Sequence, residues 1–222
     1  MSRWIIAAPA LVVGGVLLLS SPGSGQRVPP PGSGLVRIET VSCGARLVGT
    51  GFLVDGRHVA TAEHVVAGAT RIVLRRRDGR VLGAGTLAGA DRGIDVALIR
   101  SDRPLAGHVF SLAARSPRAG ERLSALGSAS AAGGRMRGFA RLVADGGRAS
   151  QRLIQTDAHV EAGDSGGPLV SARDGSVLGL VDLSATAPDG PSFAVEARAA
   201  RPLVARWRHD PEAVPQRRCG RR

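Results

Sequence analysis

The sequence predicts an all-β protein made of two successive sets of short strands, closed by one C-terminal helix. Three observations predict it. Apolar and polar residues alternate over short runs, as where Val36 and Ile38 alternate with Arg37 and Glu39, which is the period of a strand with one buried face. Turn residues recur at short intervals, and 31 Gly and 13 Pro in 222 residues supply the breaks that many short strands need. A sustained helical spacing of apolar residues is found at Ala197, Ala200, Leu203, Val204 and Trp207. A hydrophobic content of 43% is enough for a sizeable core, and the length suits one domain-sized unit or two small barrels sharing a cleft.

The elements follow in order. Residues 1–20 read as an export segment. Arg3 supplies the positive charge and Trp4–Leu19 is an apolar run of 16 residues. As a helix that run spans roughly 24 Å, short of the roughly 30 Å hydrocarbon core of a bilayer, which favours a cleaved signal peptide. The lack of a clean Ala-x-Ala site and the presence of Pro22 keep an uncleaved membrane anchor as the alternative. Residues 21–34, rich in Pro, Gly and Ser, form a semi-stiff linker. Residues 35–112 are the first strand set, punctuated at Gly44, Asp55-Gly56, Asp78-Gly79 and Gly89, with a short helical turn over His64–Gly68. Residues 119–195 repeat the pattern, with breaks at Gly133-Gly134, Gly146-Gly147, Asp174-Gly175 and Asp189-Gly190. Residues 196–208 form the helix, in which Pro202 is expected to introduce a kink or delay the start. Residues 209–222 are a basic tail.

The net charge is +12 and every basic residue other than His is Arg. Arginine suits anionic partners, but Ala, Gly, Val and Arg dominate the whole chain and Tyr is absent, so the charge reads first as compositional bias. No nucleic-acid partner and no cofactor is expected, and a membrane partner only through the N-terminal segment. Export implies an oxidising compartment, where Cys43 and Cys219 form one disulfide or else remain two thiols. Two cysteines alone make no convincing metal site.

The chemistry lies in Gly163-Asp164-Ser165-Gly166-Gly167-Pro168-Leu169. A serine hydroxyl is a weak nucleophile that needs a base, and a tetrahedral intermediate needs backbone N–H donors aimed at its oxyanion. A glycine-rich turn can present Ser165 and keep the Gly163 and Ser165 N–H groups facing inward. Upstream lie Thr61-Ala62-Glu63-His64 and Asp91-Arg92-Gly93-Ile94-Asp95. The order is therefore His64, Asp95, Ser165, one of several orders in which such triads occur.

On these segments the chain resembles the bacterial trypsin-like serine proteases, especially the protease domain of the high-temperature-requirement (Deg-type) enzymes. Gly120–Gly127, Gln155–Ala158, Val177–Val181 and Ser192–Val195 extend the resemblance over about residues 35–208. It implies two packed six-stranded antiparallel β-barrels of the chymotrypsin type, with the site in the crevice between them. It implies that His64 is the general base, that Asp95 orients and stabilises its imidazolium, and that the N–H groups of Gly163 and Ser165 bind the oxyanion. The substrate pocket would be framed by His159, Val160 and Ala162 on one side and by Leu183, Ser184, Ser192 and Phe193 on the other. Apolar walls would favour a modest apolar P1 residue; a protonated His159 facing the pocket would instead favour an acidic one. Bacterial relatives hold the residue at Asp164 with an internal Arg, for which Arg135 and Arg137 are the candidates, so no zymogen cleavage is expected. The peptide-binding domain that the family often carries after the protease domain is not expected in this chain.

Two positions depart from the family. Glu63 stands where Ala is usual, and Asp182 where a small polar residue is usual. The expectation is an exported serine endopeptidase that hydrolyses protein or peptide substrates through an acyl-enzyme. The alternatives are a catalytically weak homologue that binds peptides or a partner through the same cleft, and an Arg-rich module that binds anionic surfaces.

Overall fold

A computed structural model describes residues 31–42, 44–128, 130–143, 150–184 and 190–214. A 3₁₀ turn at Pro31–Gly34 leads into β1 (Leu35–Ser42), β2 (Ala45–Leu53), β3 (His58–Thr61), α1 (Glu63–Val66), β4 (Arg71–Arg75), β5 (Val81–Asp91) and β6 (Val96–Ser101). The second set is β7 (Arg122–Leu126), β8 (Ala131–Val143), β9 (Ser150–Thr156), β10 (Pro168–Ser171), β11 (Val177–Ser184) and β12 (Ser192–Glu196), followed by α2 (Ala197–His209). Each set closes into a barrel, in the orders β1-β2-β3-β6-β5-β4 and β10-β11-β12-β9-β8-β7. The two-barrel expectation is met, and closure leaves neither set with a free edge.

Period-two alternation fills each barrel. Val36, Ile38, Val59, Leu74 and Ile99 belong to the interior of the first, and Leu123, Met136, Ile154, Leu169 and Leu178 to that of the second. A third apolar cluster joins the barrels to α2 and includes Phe52, Leu98, Phe110, Leu180, Val195 and Trp207. The helix contributes Ala197, Ala200, Val204 and Trp207, the face expected from their spacing. Pro202 lies inside α2 on its exposed side, and the helix begins at Ala197, so the proline does not delay its start.

Hydrogen bonds across the barrels define the crevice. The Thr50 N–H donates to Ser165 O (2.8 Å), Thr50 Oγ1 donates to Gly163 O (2.7 Å), and the Ser128 N–H donates to Thr50 Oγ1 (2.9 Å). A single β2 residue thus holds two loops of the second barrel. The Cys43 and Cys219 positions, the export segment, most of the linker and most of the basic tail lie outside the described residues.

Candidate active site

His64 is delivered by α1, whose Val65 and Val66 are buried while the imidazole faces the crevice with its side chain 45% exposed. Thr40 Oγ1 donates to Val65 O at 3.0 Å and ties this short helix to β1. Asp95 precedes β6 in a left-handed conformation, φ 53°, a costly conformation for a residue with a side chain and one that clusters at functional sites. The turn is built by Asp91 Oδ1, which accepts from the N–H groups of Gly93 and Ile94. It aims both Asp95 oxygens at one residue. Oδ2 lies 2.7 Å from His64 Nδ1, and Oδ1 accepts the His64 backbone N–H at 2.8 Å. The carboxylate thereby fixes the ring and its backbone together.

The electrostatics follow. The hydrogen bond from Asp95 raises the His64 pKa above its ordinary value against the opposing effect of burial, and the charges of Asp95, Asp182 and Glu63 add to it. Burial alone would raise Asp95, but the hydrogen bond and charge of His64 outweigh it and hold the carboxyl low. Asp182, on β11, is buried, and its Oδ1 lies 4.0 Å from His64 Nδ1. Burial first, then the Asp95 charge, push it up to about 6, with His64 opposing. The second carboxylate expected from the sequence therefore does reach the His64–Asp95 pair. His64, Asp95 and Asp182 also offer ligand atoms within 4.8 Å of one another, a spacing that could hold a cation and the one such group among the described residues.

Ser165 sits in a turn that requires glycine. Gly163 has φ 100° and Gly166 has φ 83°. A Cβ on Gly166 would lie 2.2 Å from Thr61 Oγ1 and 2.4 Å from Thr50 O. The N–H groups of Asp164, Gly166 and Gly167 donate to Glu161 O, Val181 O and Asp164 O. Those of Gly163 and Ser165 have no intramolecular acceptor among the described residues. The Ser165 hydroxyl donates to the backbone C=O of Asp182 at 3.1 Å and makes no hydrogen bond to His64.

Three expectations about side chains are corrected. Asp164 is buried as expected, but its partners are Ser130 Oγ (2.6 Å) and the Glu161 N–H (3.0 Å), not Arg135 or Arg137. Strand alternation is the reason: Met136 points into the core of β8, so Arg135 and Arg137 both face out. There Arg137 pairs with Asp157, and the Arg135 guanidinium bonds Gly120 O. His159 is not a packed side chain, because it is 68% exposed and lies beside Glu161. Val160 belongs to the second-barrel core rather than to a pocket. Of the other framing residues, Ala162 is exposed, Ser192 is buried, and Phe193 packs against the inter-barrel cluster. Leu183 and Ser184 pair through their backbones with Phe193 and Ser192. The sequence reading missed Thr50 and Ser130; Thr50 stands between Gly49 and Gly51, a pattern that marked close backbone approach.

Two closed six-stranded antiparallel barrels with a C-terminal helix define a chymotrypsin-like fold, and Asp182 links its two halves, with Oδ1 4.0 Å from His64 Nδ1 and its carbonyl accepting from Ser165 Oγ. The chain belongs to the trypsin-like peptidase domain family, which matches residues 49–180. It is 35% identical to the serine protease HTRA1B of Danio rerio over 74% of this chain and 36% of that one. It is 31% identical to a probable periplasmic serine endoprotease, DegP-like, of Halomonas elongata over 74% of this chain and 36% of that one. The chain thus spans about a third of the length of these two curated relatives. In structure it is similar to the active form of the Rv3671c protease of M. tuberculosis, with TM-score 0.74, 25% identity, and coverage of 90% of this chain and 98% of that one.

Proposed function

We propose that this chain is an exported serine endopeptidase that cleaves protein or peptide substrates through an acyl-enzyme. The observation that carries the reading is the pairing of two features in one crevice. Asp95 grips both the ring and the backbone of His64, and the adjoining Ser165 loop leaves the Gly163 and Ser165 N–H groups free. Catalysis requires Ser165 Oγ to turn from the Asp182 carbonyl to His64 Nε2; such contacts commonly tighten only when substrate binds. Oγ attacks the scissile carbonyl and its proton passes to His64. The oxyanion accepts from the Gly163 and Ser165 N–H groups. The imidazolium, held by Asp95, then protonates the departing amine, and water hydrolyses the ester by the same route.

The exposure of His159 and its proximity to Glu161 favour a modest apolar P1 residue over an acidic one. The relatives named as periplasmic or Deg-type endoproteases, with the apolar N-terminal run, support export. The second reading, a weakly catalytic binding module, rests on the Ser165 hydroxyl being held by Asp182 O and on the extra carboxylate beside His64.

Fluorophosphonate labelling and peptide hydrolysis by the purified chain separate the two readings. Ser165→Ala should abolish labelling and lower kcat by about 10⁴–10⁶-fold. Hydrolysis that survives in Ser165→Ala, or a wild-type chain that neither labels nor hydrolyses, rejects the endopeptidase reading.

A further inference from the structure

One face of the first barrel adjoins the Ser165 loop and takes no part in the chemistry above. Strand register aligns Arg71, Val41 and Arg46 in one row across β4, β1 and β2, and Val73, Glu39 and Val48 in the next. A third row runs through Arg75 and Arg37 to Thr50, the residue that bonds Gly163 O. Residues two apart on a strand share a face, so the rows form one continuous surface, which is grooved, with a volume of about 350 Å³. Its apolar residues are Val41, Val48 and Val73, and Val48 is 38% exposed. Val48 Cγ1 lies 3.9 Å from where a Cβ on Gly163 would stand, so the groove begins at the oxyanion loop.

The charge on this face is one-sided. Four arginines, Arg37, Arg46, Arg71 and Arg75, stand against one carboxylate, Glu39, which gives 4 − 1 = 3 net positive charges. Arg37 and Arg75 are already engaged, with Nε atoms 3.1 and 2.8 Å from Glu39. Arg46 and Arg71 are exposed and make no ion pair among the described residues. A guanidinium fork suits a carboxylate held by two hydrogen bonds.

Ser165 lies between two strands. Its hydroxyl is turned to Asp182 on β11, and its carbonyl is bonded by Thr50 on β2. A peptide whose acyl side follows β11 therefore carries its leaving side across β2. We propose that the β4–β1–β2 face docks the leaving side of protein substrates, with an apolar residue over Val48 followed by acidic residues at Arg46 and Arg71. The inference rests on the endopeptidase reading. Val48 and Arg46 are two residues apart on β2, about 7 Å at strand rise, so the acidic residues fall two to four places past the scissile bond.

The test uses the full chain and two peptides with the same acyl side, one bearing Glu and Asp after the leaving-side apolar residue, the other Gln and Asn. The acidic peptide should show about fivefold higher kcat/KM at low salt, the scale expected from two exposed ion pairs. The ratio should approach one in high salt and in the Arg46→Ala/Arg71→Ala double variant. Arg198→Ala, which removes an exposed arginine on α2, should keep it. Equal rates at low salt, or a preference that persists in the double variant, overturn the proposal. Anionic phosphatidylserine vesicles that bind in an Arg46- and Arg71-dependent way, when the peptides show no preference, would assign the face to a membrane surface instead. A chromogenic reporter with no leaving-side residues distinguishes the two failures. If it is cleaved while the peptides do not discriminate, only the docking proposal falls; if it is not cleaved and Ser165 does not label, the endopeptidase reading falls and the substrate assignment falls with it.

Discussion

At His64 two carboxylates converge from different barrels, Asp95 at 2.7 Å and Asp182 at 4.0 Å from the same ring nitrogen. Like charges in one site cannot both ionise freely, and the burden falls on Asp182, pushed up to about 6 chiefly by its burial. Above that pH a second negative charge stabilises the imidazolium. The base works only when neutral, and its pKa is raised foremost by Asp95. The acid limb of kcat/KM should therefore lie above the ordinary histidine value of about 6.5. Asp182→Asn removes one stabilising charge and keeps the backbone carbonyl that receives Ser165 Oγ. Its acid limb should move to lower pH, so that activity near pH 6 rises relative to the plateau. A pH–rate profile that is unmoved, or moves upward, rejects this account of Asp182. The sequence marked Asp182 as an unusual carboxylate, but its nearness to His64 depends on the second barrel folding against the first.

Among the elements, α2 is held chiefly by one side chain. Trp207 is 1% exposed, and its indole Nε1 donates to Glu212 Oε2 at 2.9 Å. Its ring lies against β5, where a Cβ on Gly89 would stand 2.2 Å from it. The helix was legible because its apolar residues recur at 3.6-residue spacing; the demand for glycine at position 89 was not, because it arises from a ring 118 positions away (207 − 89). Trp207→Ala should destabilise the protein by about 3–5 kcal/mol, the usual cost of truncating a buried large aromatic, and calorimetry should show a lower Tm. Trp207→Phe keeps most of the packing and loses one hydrogen bond, at about 1 kcal/mol. If the two variants melt together, packing of the ring is not what secures α2.

The two barrels become one catalytic unit through contacts between residues far apart in the chain, and Thr50 concentrates them. Its backbone N–H and hydroxyl hold Ser165 O and Gly163 O, and its hydroxyl receives the Ser128 N–H. Thr50→Val keeps the shape and removes the hydroxyl, leaving a buried N–H unpaired at a cost of about 1–3 kcal/mol. The oxyanion loop then loses an anchor while the outer cleft is untouched. The expected result is a fall in kcat with a smaller change in KM, read from steady-state hydrolysis, together with a modest loss of stability in urea melts. A kcat equal to wild type would show that Thr50 serves the fold alone.

Strand period, turn glycines, the apolar stripe of α2 and the order His64, Asp95, Ser165 are all legible in the sequence itself, because each is a pattern among near neighbours or a motif whose chemistry dictates its spelling. The partner of Asp164, the outward turn of His159, the burial of Val160 and the bridging role of Thr50 were decided by the tertiary structure. Thr50 and Gly163 are 113 positions apart, and Ser130 and Asp164 are 34 apart. No local periodicity encodes such pairs. Which of several arginines or hydroxyls satisfies a buried carboxylate depends on which face of each strand the closed barrel turns inward, and barrel closure sets that for all six strands at once.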